Sequence, residues 1–571
     1  MKKVLNSLNK ENSLYLLEHA DNPVQWISWK DYRSLSNIDK PLFISIGYSS
    51  CHWCHVMANE SFSDTETADF LNEHFISIKI DREEYPDLDK KYQLFAQLTG
   101  NNGGWPLTIF ADKNASPFYA GTYFPKEQRY NLPSFLNILK FIIQIYQKNY
   151  DKVKKVSDDF NGILQKFYNQ DEVRDHPNIL NGYKKIFDQA NGGLGNNQKF
   201  PNIPVLNYLA NFADTDEELY NFLIKTADAL SLSGIFDHID GGFFRYTVDN
   251  QWNIPHFEKM LYDNAQNLSF LAKIYNLTEN SIYLLTARKT ADFLLNHFLT
   301  ENGFGSSFNA DSPDYDDIQK EGFYYLLDEQ IISILTPQEA DILSRYTYFN
   351  ENHIRLIPDI DYPNFLLLQP IMEKLNSSRR KIKKQPKFDS KVIFSLNMLT
   401  LSALIDFYEI SSDDHIITKI LDIYQLLIDS MTKNNKIYRI RYQNKLFDHH
   451  TLEDYVYPIQ VSRKLYEITK DKNFLKIIKN FLSSISKFFV KDKNIYYNID
   501  MDIIDFMDDA AFSSLGLLSY ELIKLSDFMR IEEFDIDYLF NYLLKFHYNY
   551  PLATPTIGLF LHEYKIKKEA L

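Results

Sequence analysis

The hydrophobic period of the chain changes once, near residue 134, and that change constrains the fold more than any other feature. Before it, short apolar runs at 41–45, 75–80, 107–110 and 118–124 read as strands. An amphipathic stretch through Glu73 separates the first two, and a turn at 112–117 precedes the last. Strand, helix, strand, helix and an antiparallel hairpin make an α/β pattern. From Ser134, placed to cap FLNILKFIIQIYQ, apolar residues recur every three or four positions through 203–231, 256–276, 280–298, 391–410, 415–431, 452–469, 473–489, 511–525 and 536–548. Paired helices in units of roughly 40 residues, without identity between units, predict an α/α array. The Gly-, aromatic- and Asp-rich interruptions at 192–204, 233–255 and 303–322 then fall at one end of a closed helical toroid, where loops build pockets. The expected division is an α/β domain over 1–170 and an all-α domain over 171–571.

Composition removes several function classes. With 45% hydrophobic and 24% charged residues the chain is globular. Its 61 Lys and Arg against 76 Asp and Glu give a net charge of −15, which argues against a broad nucleic-acid surface. The one basic run, 379–387, reads as a solvated helix end or loop. No run of about 18 apolar residues exists to span a membrane, and Met1, Lys2 and Lys3 lead into polar sequence without a signal-like stretch. A cytoplasmic protein with no nucleic-acid or membrane partner is expected.

The only two cysteines in 571 residues are Cys51 and Cys54. One such pair cannot staple a chain of this size, so a disulfide here points to redox chemistry. Cys51 follows a strand and opens a helix, where unpaired N–H groups and the helix dipole stabilise a thiolate; it is expected to be the exposed nucleophile. Cys54 would resolve, and a protonated His52 between them would favour the Cys51 thiolate. Pro106 precedes a later strand, where thioredoxin-like folds hold a cis-proline against the cysteine pair, ready to meet an extended thiol substrate by β-type pairing. Two other readings stay open: a redox-silent domain, and metal binding by Cys51, His52, Cys54 and His55. A structural zinc site normally needs a second ligand pair, and no other cysteine exists. No metal and no cofactor are expected.

A second constellation lies in the helical half: Asp237, His238, Arg245, Tyr246, Trp252, His256, Glu258, Lys259, Tyr262, Asp263 and Asn264. Helical spacing would put His256, Lys259 and Asp263 on one face, with Glu258 and Tyr262 beside them. Such a stripe would line a barrel mouth, with Trp252 and Phe243-Phe244 as platforms for sugar rings. Asp311, Glu321, Asp389, Lys391, Glu453, Asp454 and Tyr455 would join it. Two carboxyl groups flanking a bond serve glycoside hydrolysis, whereas His256 or His238 would serve epimerisation. The alternative is a buried network of hydrogen bonds and salt bridges. In that case Glu453-Asp454 simply charges a helix start capped by Thr451, and Asp508-Asp509 does likewise.

At these residues the chain resembles the spermatogenesis-associated thioredoxin-like family and its bacterial and archaeal YyaL-type relatives. The resemblance rests on NSLYLLEHA (12–20), NPVQW (22–26), SIGYSSCHWCHVM (45–57), DREEYPD (81–87), GGWPLT (103–108), GTYFP (121–125) and KFP (199–201), and on the long GIFDHIDGGFFRYTVDNQWNIPHFEKMLYDNAQ (234–266). It implies a thioredoxin-like domain fused to an (α/α)6 barrel of six-hairpin glycosidase type, similar also to N-acylglucosamine 2-epimerases. The chain departs from the family where Trp-Asn-Gly becomes Leu396-Asn397-Met398, where Glu-Pro-Ser-x-Asn-Ser becomes 508–513, and where C-terminal cysteines are missing. The leading expectation is a thiol–disulfide oxidoreductase with a protein dithiol or disulfide partner and a sugar-pocket-like barrel. The alternatives are a carbohydrate-active or carbohydrate-binding barrel with an accessory thioredoxin-like domain, and a non-catalytic scaffold.

Overall fold

The computed structural model describes residues 6–36, 38–129, 131–168, 179–350, 353–434 and 436–569, and divides into two compact units, 1–170 and 171–571. The first unit runs β1 (Trp26–Ser28), β2 (Leu42–Gly47), α1 (His52–Asn59), α2 (Thr65–His74), β3 (Ile76–Asp81), α3 (Pro86–Leu98), β4 (Leu107–Ala111), β5 (Pro117–Gly121), α4 (Phe135–Lys148) and α5 (Tyr150–Tyr168). The sheet order is β1-β3-β2-β4-β5, with β1, β3 and β2 parallel and β4 and β5 antiparallel.

Strand β2 is central and buried at all six positions, which is why it reads as a continuous apolar run without alternation. Phe43 pairs in register with Ser77 on one side and Phe110 on the other, and its ring packs on Phe135 of α4 at 5.4 Å. Ser134 caps α4 by accepting the Asn137 N–H at 3.4 Å, and Phe135, Ile138, Leu139, Ile142 and Ile143 form the buried face of that helix. This is a thioredoxin-like arrangement. Its consequence for function is the short link from the end of β2 at Gly47 to Cys51, the N-cap of α1.

The second unit alternates inner and outer helices. The inner ones are α6 (Ile203–Leu209), α8 (Leu261–Thr278), α11 (Phe394–Ser411), α13 (Leu452–Thr469), α15 (Ser514–Leu525) and α17 (Pro555–Glu569). Each packs on the next, and α17 packs back on α6, so the six close into a ring. Outside lie α7 (Glu217–Leu232), α9 (Ser281–Phe293), α12 (Asp414–Met431), α14 (Asn473–Phe488) and α16 (Ile536–Asn549). An insertion over 299–393 carries α10 (Tyr362–Ile382), whose Leu368, Ile371, Met372 and Leu375 pack with Ile331, Leu343 and Ile354 in a cluster of their own.

Three inner helices, α8, α11 and α13, are each 18 residues long. Each starts after an extended residue (Met260, Ile393, Thr451) and stops at a left-handed one (Glu279, Ser412, Lys470, φ 55°, 52° and 59°). None of the three left-handed positions is Gly, and each ends its helix with its N–H bonded to the carbonyl four residues back. Equal lengths and alternating direction put equal positions of these helices at equal depth in the ring.

Candidate functional sites

Cys51 and Cys54 are joined in a disulfide across the first turn of α1. Cys51 Sγ also accepts the Cys54 N–H at 3.2 Å, and the Cys51 N–H donates to the Tyr48 carbonyl at 3.3 Å. The expectation of an open Cys51 is corrected: it is 4% exposed and Cys54 1%. The N-cap position turns its sulfur in over the helix's own N–H groups and onto its partner. The exposed member of the motif is Trp53, whose ring meets His52 on one side and Tyr123 on the other at 5.6 and 5.0 Å.

Pro106 follows Trp105 through a cis peptide bond. Trp105 Nε1 donates to Asp89 at 2.9 Å, and the Arg82 guanidinium lies over the rings of Trp105 and Tyr48 at 4.1 and 4.6 Å. Arg82 thus ties the segment before Pro106 to the residue three before Cys51 and brings a positive charge to that end of the sheet. His55 Nε2 is 2.7 Å from the Ser49 carbonyl and 3.8 Å from Glu18, contacts that hold the turn. Among the described residues no group of three or more His, Cys, Asp or Glu is arranged to hold a metal ion.

Behind the pair, an added Cβ on Gly47 would lie 2.4 Å from Tyr15 Oη and 2.7 Å from Cys54 Sγ, so only glycine fits there. Lys79 is 1% exposed, donates to Ser45 Oγ at 3.0 Å, and sits over the rings of Phe62, Trp26 and Tyr15 at 4.5, 4.9 and 5.0 Å. Burial pushes its ammonium well below the usual lysine range. Sequence reasoning did not single out Lys79; the signal was a lysine inside the otherwise apolar alternation of 75–80.

In the second unit the stripe expected on one helix face is not helical. Helix α8 begins only at Leu261, and His256 and Lys259 lie in short extended segments. His256 pairs in register with Tyr246, and Lys259 with Phe308. Pro255 and these pairings replace the helix that spacing alone predicts. The same small sheet sets Ser307 between Met260 and Asp389, so the 237–264 and 389–391 groups are brought together. Asp311 and Glu321 face each other in a separate hairpin.

Most of these side chains are engaged with one another. Asp237 accepts from Lys259 Nζ at 2.8 Å and Arg379 at 3.2 Å, and the two cations are 1% and 0% exposed. Burial alone would raise the Asp237 carboxyl, but Arg379 and Lys259 hold it far below the carboxylate range. Arg245 meets Glu258 at 3.2 Å, Lys391 meets Asp389 at 3.1 Å, and Arg439 meets Glu453 at 2.7 Å and Asp454 at 3.1 Å. Asp454 also closes a capping box with Thr451. Asn264 is spent on the Phe243 backbone and the Met260 carbonyl. His238 contacts the Ser233 carbonyl at 2.9 Å, and burial brings its pKa down to about 3, leaving the ring neutral.

Trp252, Phe243 and Phe244 are fully buried, so the expected platforms for sugar rings are core residues; Trp252 Nε1 donates to the Asn191 carbonyl at 3.1 Å. Tyr262 is 3% exposed and Asp263 lies in the first turn of α8. His256 Nδ1 stands 2.6 Å from Glu321, beside Tyr246, whose ring stacks on Phe200 at 4.6 Å. A cavity inside the ring is lined by none of these residues but by Gln266, Lys273, Asp406, Lys464 and others. Periodicity, which drew these helices with unequal lengths, gave no signal that their charged residues fall at one level of the ring.

Residues 5–165 match the Thioredox_DsbH family, described as a protein of unknown function, DUF255. The chain is 28% identical to uncharacterized protein B0495.5 of Caenorhabditis elegans over 98% of its own length and 86% of that protein. It is 34% identical to human spermatogenesis-associated protein 20 over 59% of its length and 45% of that protein, and 33% identical to the rat protein with the same coverage. The chain is thus similar to the spermatogenesis-associated proteins over a little more than half of its length, and its first unit to the DUF255 family. It spans less than half the length of the human and rat relatives. Among solved structures it is similar to a D-mannose isomerase (10% identity, TM-score 0.41, covering 65% of this chain and 83% of that one). It is also similar to the GH76A alpha-1,6-mannanase of Salegentibacter sp. HEL1_6 (11%, TM-score 0.40, 68% and 97%).

Proposed function

We propose that the first unit carries out thiol–disulfide exchange through Cys51 and Cys54, with a dithiol or disulfide of a protein as its partner and the cytoplasm as its setting. One observation supports this above the rest. Cys51 is the N-cap of α1 and its sulfur already accepts a helix N–H, so the thiolate left when the bond opens is held by a backbone donor and the helix dipole. A partner thiolate attacks Cys51 Sγ, the Cys51–Cys54 bond breaks and Cys54 leaves as thiolate, taking a proton. The partner's second thiolate then attacks its own sulfur in the mixed disulfide and expels Cys51 as thiolate. Two electrons pass to the pair, and the partner becomes the disulfide. The low exposure of Cys51 favours partners that present the attacking sulfur on an extended segment.

Carbohydrate chemistry in the second unit is the second reading, favoured by the His256–Glu321 contact beside an aromatic stack. It ranks behind the first because Asp237 is spent on Lys259, Asp389 on Lys391, and Asp454 on Arg439.

The test is equilibration in glutathione redox buffers followed by alkylation and mass analysis. The expected result is a reversible two-electron transition in the wild type, and a glutathione adduct on Cys51 in Cys54→Ser. A pair that stays oxidised under strongly reducing native buffer, or a Cys54→Ser protein that forms no adduct, would overturn the reading.

A further inference from the structure

The ring of inner helices encloses a cavity of about 300 Å³, inside the size range of small-ligand sites. Its deep end is formed by Gln266, Phe512 and Thr556, near helix starts, and its mouth lies at the opposite helix ends, where Asn276 and Glu409 are exposed. Between them runs a charged layer. Lys273, Asp406 and Lys464 are each the thirteenth residue of an 18-residue inner helix beginning at 261, 394 and 452.

The charges of this layer do not balance. Lys464 Nζ and Ser269 Oγ both donate to Asp406, and Arg463 is taken by Glu521 and Glu467. Glu563 pairs with Lys524 at 2.8 Å. Lys273 donates to the Asn207 carbonyl at 3.0 Å and has no carboxylate of its own among the ion pairs described. Burial brings its pKa down to about 8, opposed by Asp406 and Glu563 and aided by Lys524. Helix α6 adds no charge to the lining, and Glu409 stands out at the mouth.

Deeper in, Gln266 is 2% exposed and lines the cavity. Its Nε2 donates to the Ala510 and Tyr262 carbonyls at 2.7 and 3.3 Å, which fixes the amide and leaves Oε1 with no hydrogen-bond donor. A buried acceptor left in that state is destabilising, a penalty that a ligand hydroxyl would remove. Seven residues separate Gln266 from Lys273, about 10 Å along the helix, the reach of a five- or six-carbon chain between two side chains.

We propose that this cavity binds a small hydroxylated carboxylate, with its carboxylate on Lys273 and a hydroxyl donating to Gln266 Oε1. The cavity shares no lining residue with the Cys51–Cys54 pair or with the His256 group. An anion beside Lys273 favours its charged form, so binding near pH 8 takes up a proton, and affinity falls as pH rises past that value.

The experiment is calorimetric titration with gluconate at pH 7, 8 and 9, in buffers of different ionisation heat, with glucose and acetate titrated beside it. Gluconate is expected to bind with proton uptake at pH 8 and to weaken on the order of tenfold from pH 7 to pH 9. Lys273→Met should abolish binding, Lys273→Arg should keep binding and remove its pH dependence, and Gln266→Leu should weaken it. Circular dichroism verifies that each variant is folded. Glucose or acetate binding as tightly as gluconate, binding without proton uptake, unchanged affinity in folded Lys273→Met, or no binding of gluconate at millimolar concentration would each overturn the proposal.

Discussion

Asp237 is shared by two cations that have almost no access to water, Lys259 and Arg379. Lys259 also lies over the rings of Phe293, Phe244 and Tyr325, and Arg379 over Tyr324, so neither can turn outward to be hydrated. Removing the negative charge therefore strands Lys259 and leaves Arg379 only Asp240, 3.9 Å away. Asp237→Asn is expected to cost about 3–5 kcal/mol, read as a loss of denaturant midpoint at unchanged slope. A variant within 1 kcal/mol of wild type would mean that water reaches the pair. At this scale the sequence was half legible. It showed that Asp237, Arg245, Glu258 and Lys259 belong together. It did not show which charge meets which, because partners such as Arg379 and Arg439 come from distant segments and the helix drawn through 256–263 by spacing starts only at Leu261, with His256 and Lys259 in short extended segments before it. The cysteine pair was legible in full as a motif. Its burial was not, since exposure depends on what packs over the turn and not on the turn itself.

Among the elements, the segment before α15 does more than charge a helix start. Asp508 accepts the Ser513 N–H at 2.9 Å and the Thr556 N–H at 2.9 Å, joining the beginnings of α15 and α17. Ala510 in the same segment takes the Gln266 amide and so sets the deep end of the cavity. The segment 508–513, expected only to charge a helix start, is therefore a joint between two helix beginnings. Burial pushes the Asp508 carboxyl from its ordinary 3.8 up to about 7, against the hydrogen bonds that favour its charged form. The folded state then binds more protons than the unfolded one between those values, so this group's contribution to stability is full below pH 4 and is lost as pH rises to about 7. His238 and His547, lowered by burial to about 3 and about 4, act in the opposite sense as they charge in acid. The prediction is therefore a difference: the melting temperature of Asp508→Asn relative to wild type should rise between pH 4.5 and 7.5. A difference independent of pH would show that Asp508 is ionised throughout.

At the scale of the whole molecule, the change of hydrophobic period near residue 134 gave the two architectures, and the repeated helical spacing gave the array. Closure was not visible, because it depends on contacts between helices about 350 residues apart in sequence. The last inner helix, α17, packs on both α15 and α6, and the buried Ile557, Phe560 and Leu561 fill that junction. The Tyr183 hydroxyl adds a bond at 2.7 Å to the Pro551 carbonyl, tying the start of the second unit to its end. A toroid has no spare layer of helices to cover a gap, so opening it exposes apolar faces on both sides of the missing helix. Deleting residues 554–571 should therefore do more than remove one helix. The expected protein keeps much of its far-ultraviolet circular dichroism, loses the near-ultraviolet signal of its packed aromatics, and binds a hydrophobic dye. The comparison is a chain-length control in which the exposed turn 315–318 is replaced by Gly-Ser, which should leave all three signals as in the wild type. A truncated protein with native near-ultraviolet circular dichroism and a cooperative melt would show that α6 and α15 are stable without the helix between them, and that closure contributes little to the barrel.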